Sequence, residues 1–120
     1  MEKRVLIADD HRPIRHVVKQ TLVATLGIAE CEEATNGREA VERAERSKPD
    51  LIILDFNMPE MDGVTAAKHL KSSMPHTPII LFTMYELSKG NAQNLGVDAI
   101  VSKTEGLASL THQVELLLSS

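Results

Sequence analysis

The sequence predicts an α/β fold: a single doubly wound parallel sheet of five strands with five helices. Three observations predict it. Short apolar runs recur at "VLIA" (5–8), "LIIL" (51–54), "IILF" (79–82) and "AIV" (99–101). Each is bounded by polar or turn-forming residues, as in strands buried on both faces. Segments with helical spacing of apolar residues lie between them. The connections are short, and the 120 residues hold no linker, repeat or low-complexity stretch. Alternating strand–helix units of this kind build one domain with right-handed crossovers.

The first strand runs into Asp9-Asp10. The first helix follows, with Pro13 in the turn that tolerates it and Ile14, Val17, Val18, Leu22 and Leu26 on one face. "IAECEEA" (28–34) mixes apolar and acidic residues, which suits an edge strand that must not pair with another chain. The second helix opens at "NGRE", where Asn36 as N-cap and Glu39 approach a capping box. It turns Ala40, Val41 and Ala44 inward and stops before Pro49. The third strand ends in Asp55, and the third helix starts at an Asp62 cap with Val64, Ala67 and Leu70 in register. The fourth strand ends in Thr83. The fourth helix, "ELSKGNAQNLG" (86–96), is weak because Gly90, Asn91 and Asn94 lower its propensity. The fifth strand leads into Ser102-Lys103. The last helix places Leu107, Leu110, Val114, Leu117 and Leu118 on one side and Leu116 roughly opposite.

Composition removes several classes of function. A net charge of −4 supplies no basic footprint for nucleic acid. An aromatic content of 2% leaves few rings to stack a base. No apolar run approaches the roughly 20 residues that cross a bilayer. The start, "MEKRVLIADD", is a poor signal peptide, so a cytoplasmic location is expected. Cys31 stands alone and reads as a small buried hydrophobe, and no Cys/His spacing suggests zinc. His16, His69, His76 and His112 read as surface residues.

In a parallel sheet, ligands bind beyond the carboxyl ends of the strands. Those ends carry Asp9, Asp10, Asp55 with Asn57 close behind, Thr83 and Lys103. Three carboxylates brought together repel, and a hard divalent cation relieves them. Lysine supplies a point charge for a phosphate oxygen, and threonine a hydroxyl donor. A carboxylate in such company can accept a phosphoryl group as an acyl phosphate. A haloacid-dehalogenase-type enzyme also uses a strand-end aspartate, but it needs an acid two residues on, where this chain has Asn57.

On "ADD" (8–10), "LDFNMPEMDG" (54–63), Thr83 and Lys103, the chain resembles the receiver domain of two-component response regulators over essentially its whole length. The resemblance implies a flavodoxin-like sheet in the order 2-1-3-4-5, with residues 1–120 forming one receiver domain and no output domain within them; the chain is either a stand-alone receiver or lacks an output domain that lies outside these residues. It implies a signalling switch rather than an enzyme, apart from phosphorylation and dephosphorylation of Asp55 itself. Asp55 would be the phosphoacceptor. Asp10, Asp55 and the backbone carbonyl of Asn57 would hold Mg2+ (Mn2+ as a substitute), with Asp9 nearby or bridging through water. Thr83 and Lys103 would hold the phosphoryl group. The donor would be a histidine kinase or a histidine phosphotransfer protein. Phosphorylation would move the Thr83–Leu95 segment and change the surface formed by the fourth helix, fifth strand and fifth helix. That surface would meet a downstream protein, an output domain or a second copy of the chain, and no membrane is involved. "DDHRPIR" (9–15) is similar to the opening of the NarL/FixJ-type receivers, which precede a DNA-binding domain; DNA would be reached only through such a domain. Taken alone, His11 and Arg15 read as surface residues.

The chain departs from the family pattern at three places. Val101 stands where an aromatic switch residue is usual, which leaves Tyr85 as the substitute. Met84 follows Thr83 where a small residue is common and narrows the path to Asp55. Lys103 is followed by Thr104 rather than proline. A cis bond there would cost about 3–4 kcal/mol, so a trans bond is expected.

Overall fold

A residue's position along each strand decides which helices cover it. In the computed structural model, which describes residues 2–84 and 91–119, β1 spans Arg4–Ala8 and β3 spans Leu51–Leu54. Leu6, Ile52 and Leu54 face one cluster, whereas Val5, Ile7, Leu51 and Ile53 face the other. Alternation by one residue reverses the face, so an unbroken apolar run is what a sheet covered on both sides requires. α2 (Gly37–Ser47) and α3 (Gly63–Ser73) cover the first face with Ala40, Ala44, Ala67 and Leu70. α1 (Arg12–Leu26) and α4 (Leu107–Leu118) cover the second with Val18, Leu22, Leu110 and Val114.

β2 (Glu30–Ala34), β4 (Ile79–Thr83) and β5 (Ala99–Ser102) complete a parallel sheet of five strands in the order β2-β1-β3-β4-β5. β2 is an edge, as its acidic residues imply. Glu33 meets Arg15 at 3.0 Å, and Glu32 lies 3.9 Å from Arg43. Cys31 is only half-buried against the second cluster. The caps form as expected. Asn36 accepts from the Glu39 N–H at 2.7 Å, and Asp62 accepts from the Thr65 N–H at 2.8 Å. Glu39 turns back to the N–H of Thr35 at 2.9 Å rather than to that of the cap. His16, His69, His76 and His112 are exposed.

Two expectations need correction. Four α-helices, not five, occur among the described residues. Residues 86–90 of the expected fourth helix lie outside the described residues. Its remainder, 91–96, forms turns closed by bonds such as Leu95 N–H to Asn91 O at 3.0 Å. Asn91 and Asn94 disfavour a regular helix there, and Gly96 takes a left-handed φ of +74°. The buried face of α1 is also rotated from the one expected. Arg15, Val18 and Leu22 are buried, while Val17 is 42% exposed. No helix among the described residues is long and apolar enough to cross a membrane.

Candidate functional site

The sheet register brings the strand-end residues together. Ala8 pairs with Leu54, and the Asp55 N–H donates to the Ala8 carbonyl at 2.9 Å. Asp9 and Asp55 therefore leave two adjacent central strands side by side. Thr83 pairs with Ser102 on β4 and β5. Lys103 opens a short 3-10 turn, Lys103–Glu105, capped by the Ser102 hydroxyl with Glu105 returning to the Ser102 N–H at 3.0 Å. That cap fixes the root of the lysine side chain. The Lys103–Thr104 bond is trans, as expected.

Lys103 crosses back over the strand ends. Its Nζ lies 2.6 Å from Asp9 Oδ2 and 3.4 Å from Asp55 Oδ2, and the three side chains are 4–7% exposed. The ammonium also sits 5.8 Å from the centre of the Phe82 ring, within range of a cation–π contact. Burial raises the Asp55 pKa above its ordinary value, and the charge of Asp9 raises it further. Lys103 and the N–H of Asn57 offset part of this. Asp10 is partly exposed beside them, and donor atoms of Asp9, Asp10, His11 and Asp55 all lie within 4.8 Å of one another. Three carboxylates and one ammonium leave a formal charge of −2 among mainly oxygen donors. That donor set fits a hard divalent cation.

The raised pKa of Asp55 has a consequence for stability. A carboxyl whose pKa is higher folded than unfolded opposes folding once it ionises, and the penalty grows as pH rises through the interval between the two values. The sign is opposite to that of a salt-bridged carboxylate. Without metal, Asp55→Asn is therefore expected to gain stability relative to wild type as pH rises from about 4, with the advantage levelling off above the folded pKa. Urea denaturation at a series of pH values measures the gap. A gap that narrows with rising pH would contradict this electrostatic assignment.

Two residues read as surface are part of the pocket. Arg15 is 8% exposed; its Nη1 donates to the Asp9 carbonyl at 2.6 Å and its Nε to Glu33 at 3.0 Å. His11 donates its N–H to Asp9 Oδ1 at 2.9 Å, and its Nδ1 lies 3.1 Å from both Asp9 Oδ1 and Asp10 Oδ1. The signal for Arg15 lay in its spacing, three residues before Val18 and seven before Leu22, which puts it in the helix's buried row. Asp9, expected near the metal or bridging to it through water, is the most connected carboxylate of the set.

Asn57 is exposed in the loop after Asp55, and Met58 behind it is buried. Thr83 is fully buried. Of the expected switch residues, Val101 is buried in the second cluster with Phe82 and Leu110. Met84 is 62% exposed and, with Lys103, Phe82, Ile14, Val17 and Leu107, lines a cleft of about 260 Å³. Tyr85 lies outside the described residues.

A response regulator receiver domain model matches residues 5–115 of the chain. Over 109 residues, 86% of its length, the chain is 41% identical to a protein-glutamate methylesterase/protein-glutamine glutaminase of Archaeoglobus fulgidus. It spans 30% of that relative, and 21% and 56% of two further curated relatives that it matches. The solved response regulator TrrA of Thermotoga maritima, in complex with Mg2+-BeF, is 31% identical; it superposes with a TM-score of 0.86 over 96% of this chain and 98% of its own. The receiver domain of NarL from Mycobacterium tuberculosis is 25% identical, with a TM-score of 0.89 over 99% and 98% of the two chains.

Proposed function

This chain belongs to the response regulator receiver domain family, and from that premise we propose that it is a phosphorylation-dependent switch whose phosphoacceptor is Asp55. The observation that carries the reading is the buried carboxylate at the end of β3, sharing the Lys103 ammonium with Asp9. An oxygen of Asp55 attacks the phosphorus of a phosphohistidine on a partner kinase or phosphotransfer protein. The O–P bond forms as the P–N bond breaks, and the imidazole leaves with its electron pair. Mg2+, or Mn2+ in its place, held by Asp10, Asp55 and the Asn57 carbonyl with Asp9 beside them, would neutralise charge on the phosphoryl oxygens.

Lys103 is already within 3.4 Å of Asp55, so a small reorientation from Asp9 places its ammonium on a phosphoryl oxygen. Thr83, fully buried at the end of β4, would supply the hydroxyl donor. Drawing Thr83 toward the phosphoryl group pulls on the segment that follows it. Turns 91–96 are held by bonds of mixed spacing rather than by a regular helix, which favours the segment after Thr83 as the two-state element. The changed surface reaches the output, either in a separate protein or in an attached domain such as the DNA-binding domain that follows NarL/FixJ-type receivers.

Incubation with Mg2+ and a small acyl phosphate, followed by mass measurement of the intact chain, tests the assignment. Wild type is expected to take up one phosphoryl group and Asp55→Asn none. Equal labelling of the variant would move the acceptor elsewhere.

A further inference from the structure

We propose that His11 is a ligand of the carboxylate pocket and gives it a preference for first-row transition metals that its carboxylates alone would not. The proposal rests on the reading of Asp9, Asp10 and Asp55 as a metal pocket.

The ring is aimed at that pocket by the backbone. The His11 N–H donates to Asp9 Oδ1 at 2.9 Å, which ties the start of α1 to the carboxylate that Lys103 holds from its other oxygen. Nδ1 then stands 3.1 Å from Asp9 Oδ1 and 3.1 Å from Asp10 Oδ1. A ring nitrogen carries at most one hydrogen, so two carboxylate oxygens share a single proton position at best. A cation at that shared position serves both oxygens and Nδ1 together. The ring is then the tautomer protonated on Nε2, an ordinary state for a metal-bound imidazole. Asp55 also lies within this donor set. The His11 side chain is 62% exposed, so its ring can pivot toward an ion without disturbing the core.

Imidazole nitrogen contributes strongly to Co2+, Ni2+ and Zn2+ and little to Mg2+, which takes oxygen ligands and keeps its waters. Transition metals bind more tightly than Mg2+ even to oxygen-only sites. The informative quantity is therefore the change in the Co2+/Mg2+ affinity ratio when the ring is removed.

Calorimetric titration of the whole chain with Co2+ and with Mg2+, for wild type, His11→Ala and His11→Gln, measures that ratio. Losing the ring is expected to weaken Co2+ by about tenfold or more and Mg2+ by less than about twofold. Electron spin-echo spectroscopy of the Mn2+-loaded chain supplies a second readout. A directly bound nitrogen is expected in wild type and absent from His11→Ala, a difference that excludes His16, His69, His76 and His112 as its source. Equal losses for both ions would make His11 a positioning residue for Asp9, and no loss would make it idle. Either result overturns the proposal, as does a nitrogen signal that survives His11→Ala. Failure of Mg2+ to bind any of the three chains would instead overturn the Mg2+ reading of the pocket, and the nitrogen signal would still decide the role of His11.

Discussion

Lys103→Met is expected to destabilise the metal-free chain by about 3–5 kcal/mol, the range for stripping one partner from a buried ion pair. Methionine keeps most of the length and apolar volume of lysine, so packing changes little and the charge is what is lost. The Lys103 side chain is 6% exposed and lies against Asp9 and Asp55, which are 4% and 7% exposed. Without it, Asp9 and Asp55 face each other from adjacent strands, with Asp10 beside them and water largely excluded. A loss of this size is a large part of the roughly 5–15 kcal/mol that holds a domain of this kind folded.

The same variant should respond strongly to Mg2+. A divalent cation supplies the positive charge that the substitution removes, so saturating Mg2+ is expected to raise the melting temperature of Lys103→Met more than that of wild type. Thermal unfolding with and without Mg2+ measures both effects. A metal-free variant as stable as wild type would mean that the carboxylates do not depend on Lys103. Phosphorylation is expected to fall in the variant even when Mg2+ restores its stability. On the proposed reading the lysine would contribute to the transfer as well as to the fold, because its ammonium, 3.4 Å from Asp55 Oδ2, would also meet a phosphoryl oxygen placed there.

The strand ends were legible in the sequence because the apolar runs fix where each strand stops. "LIIL" is buried along its whole length, and the next residue must emerge at the sheet's carboxyl edge; that is Asp55. The same logic put Asp9, Thr83 and Lys103 at strand ends; the register sets Asp9 beside Asp55 and Thr83 beside Ser102, and Lys103 reaches back to Asp9 and Asp55. What was not legible is how charges are shared within the pocket. Asp9 and Asp10 are equivalent in sequence, yet Asp9 takes the Lys103 contact and Arg15 holds its backbone, while Asp10 stays partly exposed. That difference depends on which way α1 is turned about its axis. Arg15 decides the turn by displacing Val17 from the buried row, and a scan for apolar periodicity passes over an arginine. Over its described part, 91–96, the expected fourth helix gives way to turns for a local reason. Two asparagines and a left-handed glycine outweigh a pattern that was weak from the start.

Gly63→Ala is expected to cost about 3 kcal/mol, the upper part of the range for forcing an extra carbon into packed structure. By helix propensity alone the sign would be opposite, since alanine is favoured over glycine by about 1 kcal/mol in a helix interior. Space decides it here. A Cβ on Gly63 would lie 2.1 Å from the Asp55 carbonyl oxygen, 3.0 Å from the Asp55 carbonyl carbon and 3.1 Å from Phe56 Cα. These are backbone atoms, so no flexible side chain can swing aside. Relief requires either α3 to retreat from the sheet or the Asp55 peptide to turn. Retreat breaks the bond from the Gly63 N–H to the Phe56 carbonyl at 2.9 Å and loosens the packing of Ala66, Ala67 and Leu70 against the first cluster. Turning the peptide moves the Asp55 carboxylate, the proposed acceptor, away from Lys103 and from Asp9 and Asp10. The variant is therefore expected to melt earlier and, at temperatures where it remains folded, to bind Mg2+ more weakly and label more slowly. Denaturation gives the first effect and Mg2+ titration of the folded chain the second. A variant as stable as wild type would show that α3 can withdraw from Asp55 at no cost. An unchanged Mg2+ affinity in a destabilised variant would show that the helix retreats alone and leaves the acceptor loop in place.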